Sequence, residues 1–154
     1  MGLGNFFKNL FGSAKETASE VTDKAEAVLD QAKEKASEYA AKAEDYIEKT
    51  VENAKESYPE VKEKVTDFAE KARESVTDFA EKAEEKLGNL ADDVKEKIHI
   101  YTAPAAEKTE EAVSKFAEEA EEVAEEVREK TDEVTEDLEE KIEEVRRAAD
   151  ENAD

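Results

Sequence analysis

Hydrophobic side chains return at an eleven-residue period along most of this chain. Residues 21–152 divide into twelve consecutive blocks of eleven, without an insertion, the first beginning at Val21. Apolar residues fill 39 of the 48 sites at block positions 1, 4, 5 and 8, against 10 of the other 84 sites. On a helix with about 100° per residue, these positions form one stripe about 100° wide. The pattern predicts an all-α protein with long, extended amphipathic helices.

The period also bears on how such helices associate. Eleven residues in three turns is about 3.67 residues per turn, which favours straight or gently right-handed helices over a left-handed heptad coil. The stripe is rich in Ala, and the chain has six Phe, four Tyr and no Trp. We therefore expect no compact core, and the high charge predicts that the isolated chain is largely disordered in water.

Proline, glycine and β-branched residues divide the chain. Pro59 should kink the repeat helix, and the residues before Pro104 should break it, because proline lacks an N–H and restricts its predecessor. Gly88 and Asn89 form a further weak point or cap. We predict helices over roughly 4–57, 60–97 and 107–150, and the last break could be the turn of a helical hairpin. The predicted segments are an N-terminal amphipathic anchor (1–20), a repeat helix (21–97), a break or hinge (98–106) and an acidic repeat helix (107–154).

The N-terminal segment carries the bulkiest apolar face. Its large side chains follow helical spacing, and residues 1–20 have two Lys against two Glu. This favours an anchor that binds reversibly at an interface; the alternatives are a cap folded onto the stripe and a docking peptide for a protein partner. The residues predicted to contact a membrane or partner are Leu3, Phe6, Phe7, Leu10, Phe11, Val65, Phe68, Val76, Phe79 and Leu90.

Charge narrows the class of partner. The formal net charge of −22 excludes a general nucleic-acid binder, which needs a basic face. Acidic residues concentrate at block positions 3 and 10, opposite the stripe, whereas Lys at position 11 flanks it, as in helices that lie on lipid. A plain solvated helix and specific helix–helix pairing remain open. With no apolar run of membrane-spanning length and no signal peptide, we expect a cytoplasmic protein, or one peripheral on a membrane.

Candidate chemistry is sparse. His99 is the sole histidine, there is no Cys, and no catalytic triad, phosphate-binding loop or zinc spacing occurs. The acidic clusters lack the glycine turn of a calcium-binding loop. We therefore expect a protein that is not an enzyme and that uses no cofactor or metal.

The repeat resembles that of group 3 late-embryogenesis-abundant (LEA) proteins. Blocks such as residues 32–42 (AKEKASEYAAK) carry the resemblance, and the apolar spacing agrees over residues 21–152. Apolipoprotein-like amphipathic helices and YtxH-type general stress proteins are also similar. The resemblance implies a chain that is disordered in water, becomes helical on drying or at membranes, and protects proteins and bilayers. The acidic tail and the bulky Phe68 and Phe79 depart from the LEA pattern.

These observations predict a desiccation- or stress-protection protein whose stripe covers a lipid surface or unfolded client proteins, with self-association possible. The main alternative is a structural or interaction protein: a helical hairpin or multi-helix assembly in which Phe68, Phe79, Leu90 and Tyr101 pack on the second arm. A membrane-associated protein addressed by its N-terminal segment is a further alternative.

Overall fold

Three long helices make up the described part of the protein. The computed structural model describes the backbone of residues 18–100 and 106–151, and the side-chain surroundings of residues 23–97 and 111–151. The helices are α1 (Ala18–Ser57), α2 (Lys62–Ile100) and α3 (Ala106–Glu151), with a short 3-10 turn at Pro59–Val61. The all-α prediction is confirmed, and so are the long helices.

The interruption between α1 and α2 follows from Pro59. Its ring would clash with the carbonyl four residues earlier, and the residue before a proline is driven out of the helical region. Tyr58 accordingly has φ −136° and ψ 76°. The Tyr58 N–H still donates to the Ala54 carbonyl at 3.0 Å, and the Val61 N–H donates to the Tyr58 carbonyl at 3.2 Å. The predicted kink is therefore a local break, and the chain resumes as a helix at Lys62.

Side chains cluster in two compact units. Unit 1 takes in the described residues of Met1–Ala36 and Lys82–Glu126, so it holds the start of α1, the end of α2 and the start of α3. Unit 2 comprises Ser37–Glu81 and the described residues from Val127 onward. It therefore holds the end of α1, the start of α2 and the end of α3. Each unit therefore contains one segment from each of the three helices.

The expectation that no compact core forms is wrong for this structure. In unit 2, side chains of all three helices form one buried cluster, which includes Ile47, Val65, Val76 and Leu138. In unit 1, Val28, Leu87 and Val113 are fully buried. Of the 25 buried hydrophobic residues, 13 are Ala. Small side chains let helices approach closely, so an Ala-rich stripe can be buried, although each contact removes little apolar area from water.

Gly88 lies inside α2, as the predicted helix over 60–97 requires, so the chain has no helix cap there. No described glycine has a positive φ, and a Cβ built on Gly88 would meet nothing within 4 Å. We expect Gly88→Ala to raise the free energy of unfolding by about 0.5–1 kcal/mol, because alanine loses less backbone entropy in a helix. Urea unfolding followed by circular dichroism measures this. A lower stability would contradict a regular helix at this position.

Candidate functional site

The buried face of the helices is rotated relative to the predicted stripe. Of the 26 buried side chains among the described residues, 22 lie at block positions 1, 5 and 8. Only Val123 is buried at position 4, whereas Ala40, Val51 and Ala117 are buried at position 9. Position 9 lies about 80° from position 1, on the edge of the stripe opposite position 4. The core face is therefore centred between positions 1 and 5, and position 4 forms its rim.

The predicted contact residues of α2 fall into two groups. Val65 and Val76 are 0% exposed and belong to the core cluster of unit 2. Phe68, at position 4, is half-buried and packs against that cluster. Phe79 and Leu90, also at position 4, are half-buried. In this fold the valines contact other helices, and only the position-4 side chains reach the surface.

Other candidate residues lie outside the described side chains. Residues 1–17 contain the whole predicted anchor, with Leu3, Phe6, Phe7, Leu10 and Phe11. His99 and Tyr101 also fall outside the described side chains. Their predicted roles therefore stay predictions.

Charged side chains of α3 cover the aromatic rim of unit 2. The Lys141 ammonium lies 5.9 Å from the centre of the Phe68 ring, and the Arg146 guanidinium lies 5.3 Å from that of Tyr58. Arg146 Nε also donates a hydrogen bond to Tyr58 Oη at 2.6 Å. Cation–π contacts at exposed sites contribute about 0.5–1 kcal/mol each. They stabilise the position of α3 in unit 2 without closing the rim to solvent.

Tyr46 is the most exposed large apolar residue described, with 41% of its surface accessible. Its hydroxyl donates to the Glu139 carboxylate, which joins α1 to α3. Sequence reasoning missed these contacts between aromatic and charged side chains, because the partners are 73 to 93 residues apart along the chain. The local spacing of residues cannot predict a contact between residues so far apart in the sequence.

Ion pairs join the helices of unit 1. Lys95 Nζ of α2 lies 3.1 Å from Glu26 Oε1 of α1, and Lys86 Nζ of α2 lies 2.6 Å from Glu126 Oε2 of α3. Their side chains remain 37 to 54% exposed, so solvent screens both pairs. The pairs show which turns of the neighbouring helices lie opposite each other: Glu26 of α1 faces Lys95 of α2, and Lys86 of α2 faces Glu126 of α3.

Ion pairs also form within single helices. In α1, Lys42 Nζ lies 2.6 Å from Glu38 Oε1. The hydrogen bond and the opposite charge lower the pKa of the Glu38 carboxyl and raise the pKa of the Lys42 ammonium. Both side chains are more than half exposed, so this pair belongs to the solvated outer face.

An open groove lies between α2 and α3 in unit 1. Leu90, Val94, Ala112 and Phe116 line one part of it, with a cavity volume of about 340 Å³. The adjoining part, with a volume of about 420 Å³, is lined by Leu90 and Val123. Charged side chains of both helices form its rim. The repeat pattern did not predict this groove.

Membrane-spanning helices and metal-binding clusters are both absent from the described residues. None of the described helices is long and apolar enough to cross a membrane. In the same part of the chain, no group of three or more His, Cys, Asp or Glu side chains is arranged to hold a metal ion.

Comparison with known proteins gives no relative. No family model, no curated protein and no solved structure matches this chain. The functional argument therefore depends on the repeat and on its packing.

Proposed function

We propose that this protein is a non-enzymatic, LEA-like stress-protection protein that covers the apolar surfaces of membranes or of unfolded client proteins. The helical units are its closed form. In the open form, the same helices turn the buried face of the repeat toward an apolar surface. No substrate or cofactor takes part.

The observation that carries this proposal is that one repeating face supplies most of the core in both units. Of the 26 buried side chains among the described residues, 22 occupy the same three block positions, which form a stripe along each helix. A helix that leaves its unit therefore presents a largely apolar face of the kind that binds lipid interfaces. A specialised globular core would not retain this periodicity.

The composition of the core supports easy opening. Thirteen of its 25 hydrophobic residues are Ala, whose single methyl contributes about 0.8 kcal/mol when buried. Ordering each residue costs about 1–2 kcal/mol in backbone entropy. Burying each of these alanines thus contributes little free energy to holding the helices together. An apolar surface therefore competes effectively with the partner helices for the same face.

Charge supports the protective role. The chain carries a net charge of −22, and acidic side chains dominate the exposed faces. Like charge destabilises a compact state and keeps coated particles apart. Bound protein would therefore hold clients or vesicles away from one another.

A reducible crosslink tests the opening step. The chain has no Cys, so pairs can be introduced freely. Lys86→Cys with Glu126→Cys would join α2 to α3, and Tyr46→Cys with Glu139→Cys would join α1 to α3, since each pair is in contact. A short disulfide-containing bis-maleimide on both pairs should lower vesicle affinity and suppression of enzyme aggregation on drying by at least tenfold. A reductant should restore both.

A matched control carries the same chemistry within one helix. Glu38→Cys with Lys42→Cys, crosslinked identically, spans one turn of α1 and leaves the helices free to separate. Its binding should equal that of the uncrosslinked protein. If the interhelical crosslinks leave binding and protection unchanged, the proposal is wrong. Packing of three helix segments in each unit then favours the second candidate, a multi-helix structural or interaction protein.

A further inference from the structure

The groove of unit 1 lies along the rim of the core face. Leu90, Ala112 and Val123 all occupy block position 4, and Leu90 and Ala112 are only half-buried. Val94 and Phe116 complete its floor. Its two parts share Leu90, Asp93 and Glu119, so they form one continuous channel with an apolar floor between charged side chains. An amphipathic helix with large side chains is the kind of ligand that such a channel accepts.

Its length accommodates the bulky part of the N-terminal apolar segment. The groove follows α2 from Lys86 to Lys97, eleven steps or about 17 Å at 1.5 Å per residue. Residues 3–11 cover eight steps, so as a helix they would be about 12 Å long and would fit within it. The contact between Lys86 and Glu126 lies at the far end of the groove.

Along the helix axis, the segment starts close to the end of the groove. Glu26 lies beside Lys95, and Ala18, where α1 begins, is eight residues or about 12 Å from that level. Since α1 and α2 run antiparallel at this pair, Lys97 lies two residues, or about 3 Å, beyond Lys95 in the direction of Ala18. The remaining axial distance is about 9 Å. Residues 12–17 can span about 20 Å when extended, and Gly12 permits a sharp reversal.

Charge selects this segment over a second copy of the chain. The groove is lined by five acidic side chains and three lysines, so its rim is net acidic: Asp93, Glu111, Glu119, Glu122 and Glu126 against Lys86, Lys97 and Lys115. Residues 1–20 carry no net charge, and Lys8 is the one charged side chain in residues 3–11. A second copy would bring a net charge of −22 to a surface of the same sign.

We propose that residues 3–11 dock as a short helix in the groove between α2 and α3, and thereby complete unit 1 as a four-helix cluster. Phe7 and Phe11 enter the channel over Leu90 and Phe116. Docking hides the bulkiest apolar side chains of the chain until a stronger apolar surface competes for them. The proposal is tested without lipid, so its failure leaves the proposed function unaffected.

A tryptophan reporter tests the docking. The chain has no Trp, so Phe7→Trp gives a single fluorophore in the segment. In the full-length protein, its emission should be blue-shifted and its quenching by acrylamide several-fold weaker than in a synthetic peptide of residues 1–12 with the same substitution. Equal emission and quenching in protein and peptide would overturn the proposal.

Two position-4 variants locate the binding surface. Leu90→Gln in the groove should shift the emission toward that of the peptide. Phe79→Gln, at the same block position and also half-buried but in unit 2, should leave it unchanged. Circular dichroism checks that both variants keep their helicity. An unchanged spectrum with Leu90→Gln, or an equal change with both variants, would place the segment elsewhere.

A disulfide assay gives an answer even if a groove variant unfolds. Leu10→Cys with Ala112→Cys should form an intramolecular disulfide rapidly in dilute, oxidised protein. Leu10→Cys with Phe79→Cys should form it at least tenfold more slowly. Equal rates for the two pairs would contradict docking in the groove.

Discussion

Leu87→Ala should lower the free energy of unfolding by about 2–5 kcal/mol. Leu87 is fully buried in unit 1 and occupies block position 1, the centre of the core face. Most neighbouring core positions carry Ala, which cannot extend to fill the space that the leucine leaves. A domain is stable by only about 5–15 kcal/mol, so this loss removes a large fraction of its stability.

Urea titration followed by circular dichroism measures the loss, and Leu29→Ala is the matched control. Leu29 belongs to the same unit but is only half-buried, so its truncation should cost less than half as much. Helicity that is low in buffer, and insensitive to both substitutions, would instead support the expectation that the chain is disordered in water. Equal, large losses would contradict the burial pattern.

Replacing Leu3, Phe6, Phe7, Leu10 and Phe11 with Ser should weaken binding to anionic vesicles by between tenfold and about a hundredfold. Each side chain would gain about 1.5–3 kcal/mol if fully buried in an apolar phase. Partial insertion and the backbone entropy of ordering the segment reduce the sum, so the net contribution is modest. A hundredfold change corresponds to about 2.8 kcal/mol.

Vesicle co-sedimentation measures this affinity, and the Ser variant keeps both the length and the charge of the chain. Helicity in trifluoroethanol should remain unchanged, since the repeat is intact. His99→Ala serves as the control and should bind normally. Unchanged vesicle affinity in the Ser variant would assign the membrane contact to the repeat alone.

The helices themselves are determined by local sequence. The eleven-residue period predicts long amphipathic helices, and Pro59 predicts the break between α1 and α2, because proline lacks a donor and excludes its predecessor from the helix. The observed ends at Ser57 and Glu151 lie within one residue of the predicted ends. Gly88 does not interrupt α2, in agreement with the helix predicted over 60–97, although glycine has a low helix propensity.

Which edge of the stripe is buried depends on tertiary structure. By sequence, Phe68, Phe79 and Leu90 are large apolar members of the stripe, yet they stay at the rim, whereas Ala40, Val51 and Ala117 are buried at position 9. Small side chains at position 9 signal close helix approach, but the period alone does not distinguish the two edges. Which of the two edges is buried depends on which helices pack against each side of the stripe.

The sequence by itself determined that this protein is helical, that its repeat helix breaks at Pro59, and that one repeating apolar face faces away from an acidic one. These properties depend on neighbours within one or two turns. Only the tertiary structure decided that the face is buried against other segments of the same chain, that α3 charges cover Phe68 and Tyr58, and that a groove remains beside Leu90. These contacts join residues tens of positions apart, and an amphipathic stripe is equally suited to a helix, a lipid surface or a client protein.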